Sequence, residues 1–381
     1  DAGGEPTADV ARAVDSSEPR QAADVHRDLL KSIGEQVILP TYRDFHAASE
    51  VLKTAAATYA VSLSAQDLSA VQDAWRDAMA LWQHAEVLQV GPAGSMTSVI
   101  GGEDLRAEIY SWPTVNPCRI DQEVVEAVYD DVDAFAGELA NVRGLDALEY
   151  LLFGPEVDND CKANSSINKN GDWQVVVDAG ELPGRRAGYA QTLAILLERE
   201  AKALVAVWEE GTPAFLAELT EAGVSSAVYT SAQEALNSIS DAMFYVEKQT
   251  KDMKLAVPAG ISGCDTDTCP DELESLWAHH SKENVLANVK AFQHLFLGGE
   301  GDDAPGFVDL LVGVGQEGLA TDMTDKLAGA ITAIEALESS LSDSLSSNPE
   351  SVQAAYDALK AAMDLFKTEF MSALDLEIPN R

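Results

Sequence analysis

Positive charge is scarce in this chain: 25 lysines and arginines face 64 aspartates and glutamates over 381 residues, a formal net charge of -39. Such a surface repels nucleic acid and anionic lipid and attracts cations, so no nucleic-acid partner is expected. Much of the acid reads as a solvated coat suited to a salty habitat. Long apolar runs are missing too. No stretch of eighteen apolar residues occurs, which excludes a membrane-spanning helix. The usual hydrolase and nucleotide signatures, His-Glu-x-x-His, Gly-x-Ser-x-Gly and the Walker sequence, are all absent, which argues against an enzyme without excluding one. Alternating strand patterns are nearly absent as well; "DWQVVVDAG", from Asp172 to Gly180 in a polar, Asn-rich insertion, is the one strand-like run.

What remains is a chain that folds: 46% hydrophobic, with a mean hydropathy of -0.08 and length enough for two cores. Apolar residues recur at helical spacing almost throughout, so the expected class is all-α. Four cysteines are an even number, and "GCDTDTC" holds Cys264 and Cys269 in one short loop, close enough to bridge. Cys118 and Cys161 would then form the second pair, which implies an oxidising compartment. Metal binding by Cys264 and Cys269 is the weaker alternative, because no second closely spaced pair completes a tetrahedral site. The segment "DAGGEPTADVARAVDSSEPRQ" is small, polar and acidic, as expected of a flexible tether over residues 1–20 after removal of a signal peptide.

Helix signals follow in order. A first helical stretch runs from about Ala22 to Val61, kinked or broken at Pro40. Ser64 with Asp67 resembles a capping box opening a second, which Gly91-Pro92 closes. "DQEVVEAVYDDVDAFAGELA" reads as a third, and "RGLDALEYLLFG" follows, ended by Gly154-Pro155. Beyond the insertion, helices are expected near Arg185 to Thr220, Ser231 to Met253, Asp271 to His280 and Ser281 to Leu297, with Gly298-Gly299 as a stop. Asn348-Pro349 then opens a last one. "LDALEYLLFG" can be laid on "VKAFQHLFLG" with apolar positions in register, a slight sign of internal repetition. It fits two bundles, 21–223 and 224–381, divided near Gly223.

The run "RGLDALEYLLFG" poses the chemical question, because Asp146 and Glu149 stand three apart on an otherwise apolar helix and can face one ligand. Upstream, Glu86 follows Trp82 by one helical turn. The irregular stretch "LRAEIYSWPTVNPCRID" then crowds Arg106, Trp112, Arg119 and Asp121 into a connection of the kind that lines sites or caps bundles. His46 and Glu50 share a helix face; of the adjacent His279 and His280 only one could join a shared site, with Glu274 five residues before His279. Arg143 beside Glu149 allows the opposite reading, a salt-bridged structural acid.

Taken in order, "ILPTYRDF", "WQHAEVLQVGP", "IYSWP" with "CRID", "RGLDALEYLLFG" and "ELESLWAHHSKENVLANVKAFQHLFLG" resemble the imelysin family, helical proteins linked to bacterial iron uptake. The resemblance covers about Gln36 to Gly298. It implies two related up-and-down helical bundles, an exported protein that is periplasmic or outer-membrane-associated, and a functional site between the bundles. The family signature is Gly-x-His-x-x-Glu; Gly144 and Glu149 match it, and Asp146 replaces the histidine. An all-oxygen pair suits Fe(III), Ca2+, Mg2+ or Mn2+ better than zinc, so the metallopeptidase activity for which the family was first named loses ground.

The leading expectation is a binding protein of iron acquisition, taking iron, another hard cation or an iron-carrying small ligand, or docking to membrane transport components. Its polar site would use Glu86, Arg106, Trp112, Arg143, Asp146, Glu149, Glu274 and His279, with Asp146, Glu149 and Glu86 as metal ligands. Two alternatives stand beside it. One is a metallopeptidase of the imelysin type; the other is a non-catalytic adaptor whose buried acids are all neutralised by Arg106, Arg119 and Arg143.

Overall fold

The computed structural model describes residues 17–211, 213–299 and 304–379. Most of the expected tether, residues 1–16, lies outside the described residues; from Ser17 the chain is helical. Among the described residues the architecture is all-α, without strands. The principal helices are α1 (Ser17–Ser32), α2 (Leu39–Ser62), α3 (Ala65–Val87), α4 (Gly144–Phe153), α5 (Leu182–Glu209), α6 (Ala232–Tyr245), α7 (Ser281–Leu297), α8 (Glu317–Glu335) and α9 (Pro349–Leu365).

Local chemistry explains several of their ends. Ser64 Oγ accepts the amide of Asp67 at 3.1 Å and starts α3; Asn348 Oδ1 accepts from Ser351 and starts α9. Pro40 causes no break. It sits in the first turn of α2, and a π-helical segment, Ile33–Ile38, joins α1 to α2 with the Leu39 amide bonded to the Gly34 carbonyl.

Four expected elements are corrected. "DWQVVVDAG" is helical over Asp172–Asp178: Trp173 and Val176, three apart, are buried together while Val175 is exposed, a 3.6-residue pattern that overrides the strand propensity of three valines. The long helix expected from Asp121 is instead a helix over Pro117–Glu126 that stops where Ala127 turns left-handed (φ 56°), followed by short turns, one of them capped by Asp131. Residues 271–280 form a 3-10 turn, Pro270–Glu272, and an irregular loop. The stretch near Arg185 to Thr220 is also divided, into α5 and a short helix, Phe215–Thr220, beyond Gly211 and Pro213.

α2 packs between α3 and α5, and α8 packs on α9. α3 lies along α7, so helices from before and after Gly223 pack together. One contiguous set of buried apolar side chains runs from Leu29 to Leu376. Its aromatic content is divided: Tyr42, Trp208 and Phe215 form an edge-to-face series, and Phe244, Phe292, Phe366 and Phe370 a second group whose rings meet mostly tilted. The expected disulfides, Cys118–Cys161 and Cys264–Cys269, both form.

Candidate functional site

Where α3 meets α7, the fold buries charge. α6 continues into a π-helical segment, Val246–Ala256, and this widened turn carries Lys254 into the seam with no exposed surface. Its Nζ donates to Gln83 Oε1 at 2.7 Å, Glu86 Oε2 at 3.0 Å and Asn288 Oδ1 at 3.0 Å, and pairs with Glu274 Oε1 at 2.7 Å. The rings of Tyr245 and Trp112 flank the ammonium at 5.2 and 5.5 Å. Glu274 Oε1 also accepts from Tyr110 at 2.8 Å and from Gln83 at 3.0 Å. Glu86 is held from its other side by Arg106, whose Nη2 also donates to the Trp112 carbonyl at 3.1 Å. Burial pushes the Glu86 carboxyl upward, but Lys254 and Arg106 beside it outweigh that and hold it below the ordinary carboxylate range.

Of the residues singled out in the sequence, the structure therefore brings together Glu86, Arg106, Trp112 and Glu274. The others go elsewhere. Asp146 Oδ2 accepts from Ser111 Oγ at 2.7 Å and Oδ1 from the Ala147 amide at 3.0 Å. Glu149 Oε1 accepts the amides of Trp277 and Ala278, each at 3.0 Å, and so ties α4 to the loop before α7. Burial raises both carboxyls, Asp146 to about 7 and Glu149 to about 8. Arg143 pairs with Glu108 at 2.6 Å rather than with either of them, Arg119 pairs with Glu123, and His279 is exposed.

Gly144 has a packing reason of its own. Its φ is 84°, and a Cβ there would meet the Ile109 carbonyl oxygen at 2.6 Å. That close approach lays the 105–111 stretch against α4 and lets Ser111 reach Asp146.

Among the described residues, the group of three or more His, Cys, Asp and Glu side chains whose ligand atoms lie within 4.8 Å of one another is His46, Glu50 and Glu198, on α2 and α5. Lys53 already binds Glu198 there at 2.8 Å. Glu86, Asp146 and Glu149 do not converge in this way.

Two clefts open on either side of Trp112 and Pro113. One, of about 320 Å³, is lined by Arg106, Lys248, Gln89 and Gln249 with Trp112, Phe244 and Tyr245 as its aromatic wall, and by the carboxylate of Asp241. Arg106 Nε, buried at this cleft, has no hydrogen-bond partner, while the Tyr245 hydroxyl lies beside the Glu86 carboxylate. The other cleft, of about 640 Å³, carries Asp160, Asp271, Glu272 and Glu274 among apolar side chains and no basic residue.

Sequence reasoning missed Lys254, Gln83, Tyr110, Tyr245 and Asn288. Asn284 and Asn288, one turn apart on the buried face of α7, were the readable sign of a polar interior there; a lysine inside "DMKLAV" was another.

The fold has counterparts of known structure. An imelysin-like protein from Psychrobacter arcticum superposes with a TM-score of 0.69 at 17% identity, covering 93% of this chain and 97% of that one. A protein from Parabacteroides distasonis, proposed to be an iron-regulated protein A precursor, superposes equally well (0.69) at 16% identity over 97% of each chain. In sequence, iron-regulated protein A of Synechococcus elongatus is 22% identical over 270 residues, a match that spans 70% of this chain and 63% of that relative. The sequence model of the imelysin family matches residues 38–366, and the chain belongs to that family.

Proposed function

We propose that this protein is an exported binding protein of iron acquisition that takes its iron as a small anionic complex in the basic cleft, at the seam between the 21–223 and 224–381 stretches. The observation that carries this reading is Arg106. One edge of its guanidinium is held by Glu86 and the Trp112 carbonyl, while Nε, buried at the cleft, has no acceptor. An unpaired buried donor is costly, and a ligand carboxylate is the natural acceptor for a guanidinium. Lys248 adds a second positive charge, and the cavity suits a compact ligand.

A bare ion is the poorer cargo. Glu86 is neutralised by two cations, while Asp146 and Glu149 bind hydroxyl and amide donors, and burial raises both, Asp146 to about 7 and Glu149 to about 8, so that neither is fully ionised near neutral pH. In this reading Glu86 acts by orienting Arg106, and Asp146 and Glu149 fix the loops at the seam. The adaptor reading, in which Arg106, Arg119 and Arg143 neutralise the buried acids, has less support: these arginines pair with Glu86, Glu123 and Glu108. The two disulfides suit an oxidising compartment, periplasmic or at the outer membrane, from which cargo would pass to membrane transport components. No helix among the described residues is long and apolar enough to cross a membrane.

Calorimetric titration with Fe(III)-citrate, citrate, Fe(II) and Ca2+ at high salt, which screens the diffuse field of the acidic surface, tests the reading. One saturable site for Fe(III)-citrate is expected, weakened at least ~10-fold by Arg106→Gln. Saturable binding of a bare ion that Glu149→Gln abolishes, with no binding of the citrate complex, would overturn it. Chelator-sensitive peptide cleavage would restore the metallopeptidase.

A further inference from the structure

We infer that the acidic cleft on the other side of Trp112 is a second site, for a small organic cation: an ammonium or guanidinium on an apolar stem. At the base of this reading is Glu274, only 4% exposed. Its Oε1 is saturated by Lys254, Tyr110 and Gln83, whereas its Oε2, also buried, has no partner. A buried carboxylate oxygen without a donor is uncommon and points to a donor that the protein itself does not supply.

The lining names the donor's chemistry. Asp160, Asp271 and Glu272 join Glu274 around the cleft, with no lysine or arginine among them. Among the described residues none of these three outer acids is in an ion pair, and Asp271 and Glu272 are exposed. The walls are apolar and aromatic: Trp112, Trp277, Met253 and Leu276. Indole faces attract cations, and apolar walls accept the methylene stem that carries an ammonium or guanidinium. Trp112 already has one such cation against it, Lys254 at 5.5 Å.

A metal ion is the wrong size for this arrangement. No three of these four carboxylates bring ligand atoms within 4.8 Å of one another, so they are spread around a volume of about 640 Å³ rather than gathered on a point. An extended organic cation can touch Glu274 with its head and still pass the outer acids.

Agmatine, which carries both head groups on a butyl stem, is the probe, titrated calorimetrically and by tryptophan fluorescence in 0.15 M NaCl, with butanol and Ca2+ as controls. Saturable one-site binding of agmatine is expected, with none of butanol and none of Ca2+. The Asp271→Asn/Glu272→Gln double variant, altered only at exposed positions, should weaken it several-fold, and Glu274→Gln at least 10-fold. Glu350→Gln, on an exposed first turn of α9, should leave it unchanged. Because Glu274 also holds Lys254, its variant counts only if its circular dichroism matches the parent; the double variant carries the test otherwise. Agmatine heats that do not saturate, or that fall equally in the Glu350 and Asp271/Glu272 variants, would reduce the cleft to diffuse attraction by an acidic surface. Saturable Ca2+ that competes with agmatine would replace the organic cation by a metal. Fe(III)-citrate binding by the double variant separates failure here from failure of the anion site.

Discussion

Two clefts share Trp112 and Pro113 and differ in almost everything else. On one side a guanidinium and an ammonium line an aromatic pocket; on the other, four carboxylates stand among apolar walls with no base. In a chain of net charge -39 the acidic cleft needs no special construction. The basic one does. A positive pocket within so negative a molecule must have its cation fixed from behind, and Glu86 does this for Arg106 while Lys254 offsets Glu86 and Glu274 together. Glu86 and Glu274, buried at the seam, hold Arg106 and Lys254 in place, whereas Asp271 and Glu272 at the rim of the second cleft are exposed.

The largest expected effect comes from the wall the clefts share. Lys254→Met leaves Glu86 and Glu274 buried with only Arg106 as counter-charge, and breaking such a pair costs about 3–5 kcal/mol. Chemical denaturation measures it, and a loss below ~1 kcal/mol would mean that the seam is wetter than its burial indicates. Ligand binding on both sides should fall in the same variant.

Next in size is a pH effect confined to the α4 side. Burial raises Glu149 from 4.5 to about 8, so over this interval the folded state holds a proton that the unfolded chain has lost. Stability should therefore fall as pH rises from about 5 to 8, by up to ~1.4 kcal/mol per pH unit, and Asp146, raised to about 7, adds to the fall in the lower part of that window. Glu149→Gln stays neutral and keeps an acceptor for Trp277 and Ala278; its stability profile should be flatter. An unchanged slope would show that Glu149 ionises in the ordinary range.

The smallest expected effect sharpens the comparison most. Trp112 lines both clefts, so Trp112→Leu should weaken Fe(III)-citrate and agmatine alike, each by a few-fold. Arg106→Gln should affect only the first, and Asp271→Asn/Glu272→Gln only the second. Loss on one side alone in the Trp112 variant would show that the ring contributes to a single site.

Much of the fold was legible. Ser64, Gly298 and Asn348-Pro349 end helices by local chemistry, which needs only neighbours in sequence. The helices expected from Asp121 and from Asp271 break at residues that are neither Gly nor Pro: Ala127 takes a positive φ of 56°, and Leu273 turns extended at φ -64°, ψ 138°. The site was legible in part. Glu86, Arg106, Trp112 and Glu274 stood out as polar or aromatic residues within the motifs, but their common partner, Lys254, lies 168 residues from Glu86 in the chain.

Periodicity, capping, cysteine spacing and motif order were enough for the all-α class, the ends of several helices, the two disulfides and the family. Only the tertiary structure decided which acids are charged and what they meet. Asp146 and Glu149 share a helix and a spacing that suggest a common ligand, yet one binds Ser111 and the other two backbone amides. Helical spacing sets direction along one element, whereas a carboxylate's partner and protonation depend on which distant groups the fold brings against it and how completely it excludes water.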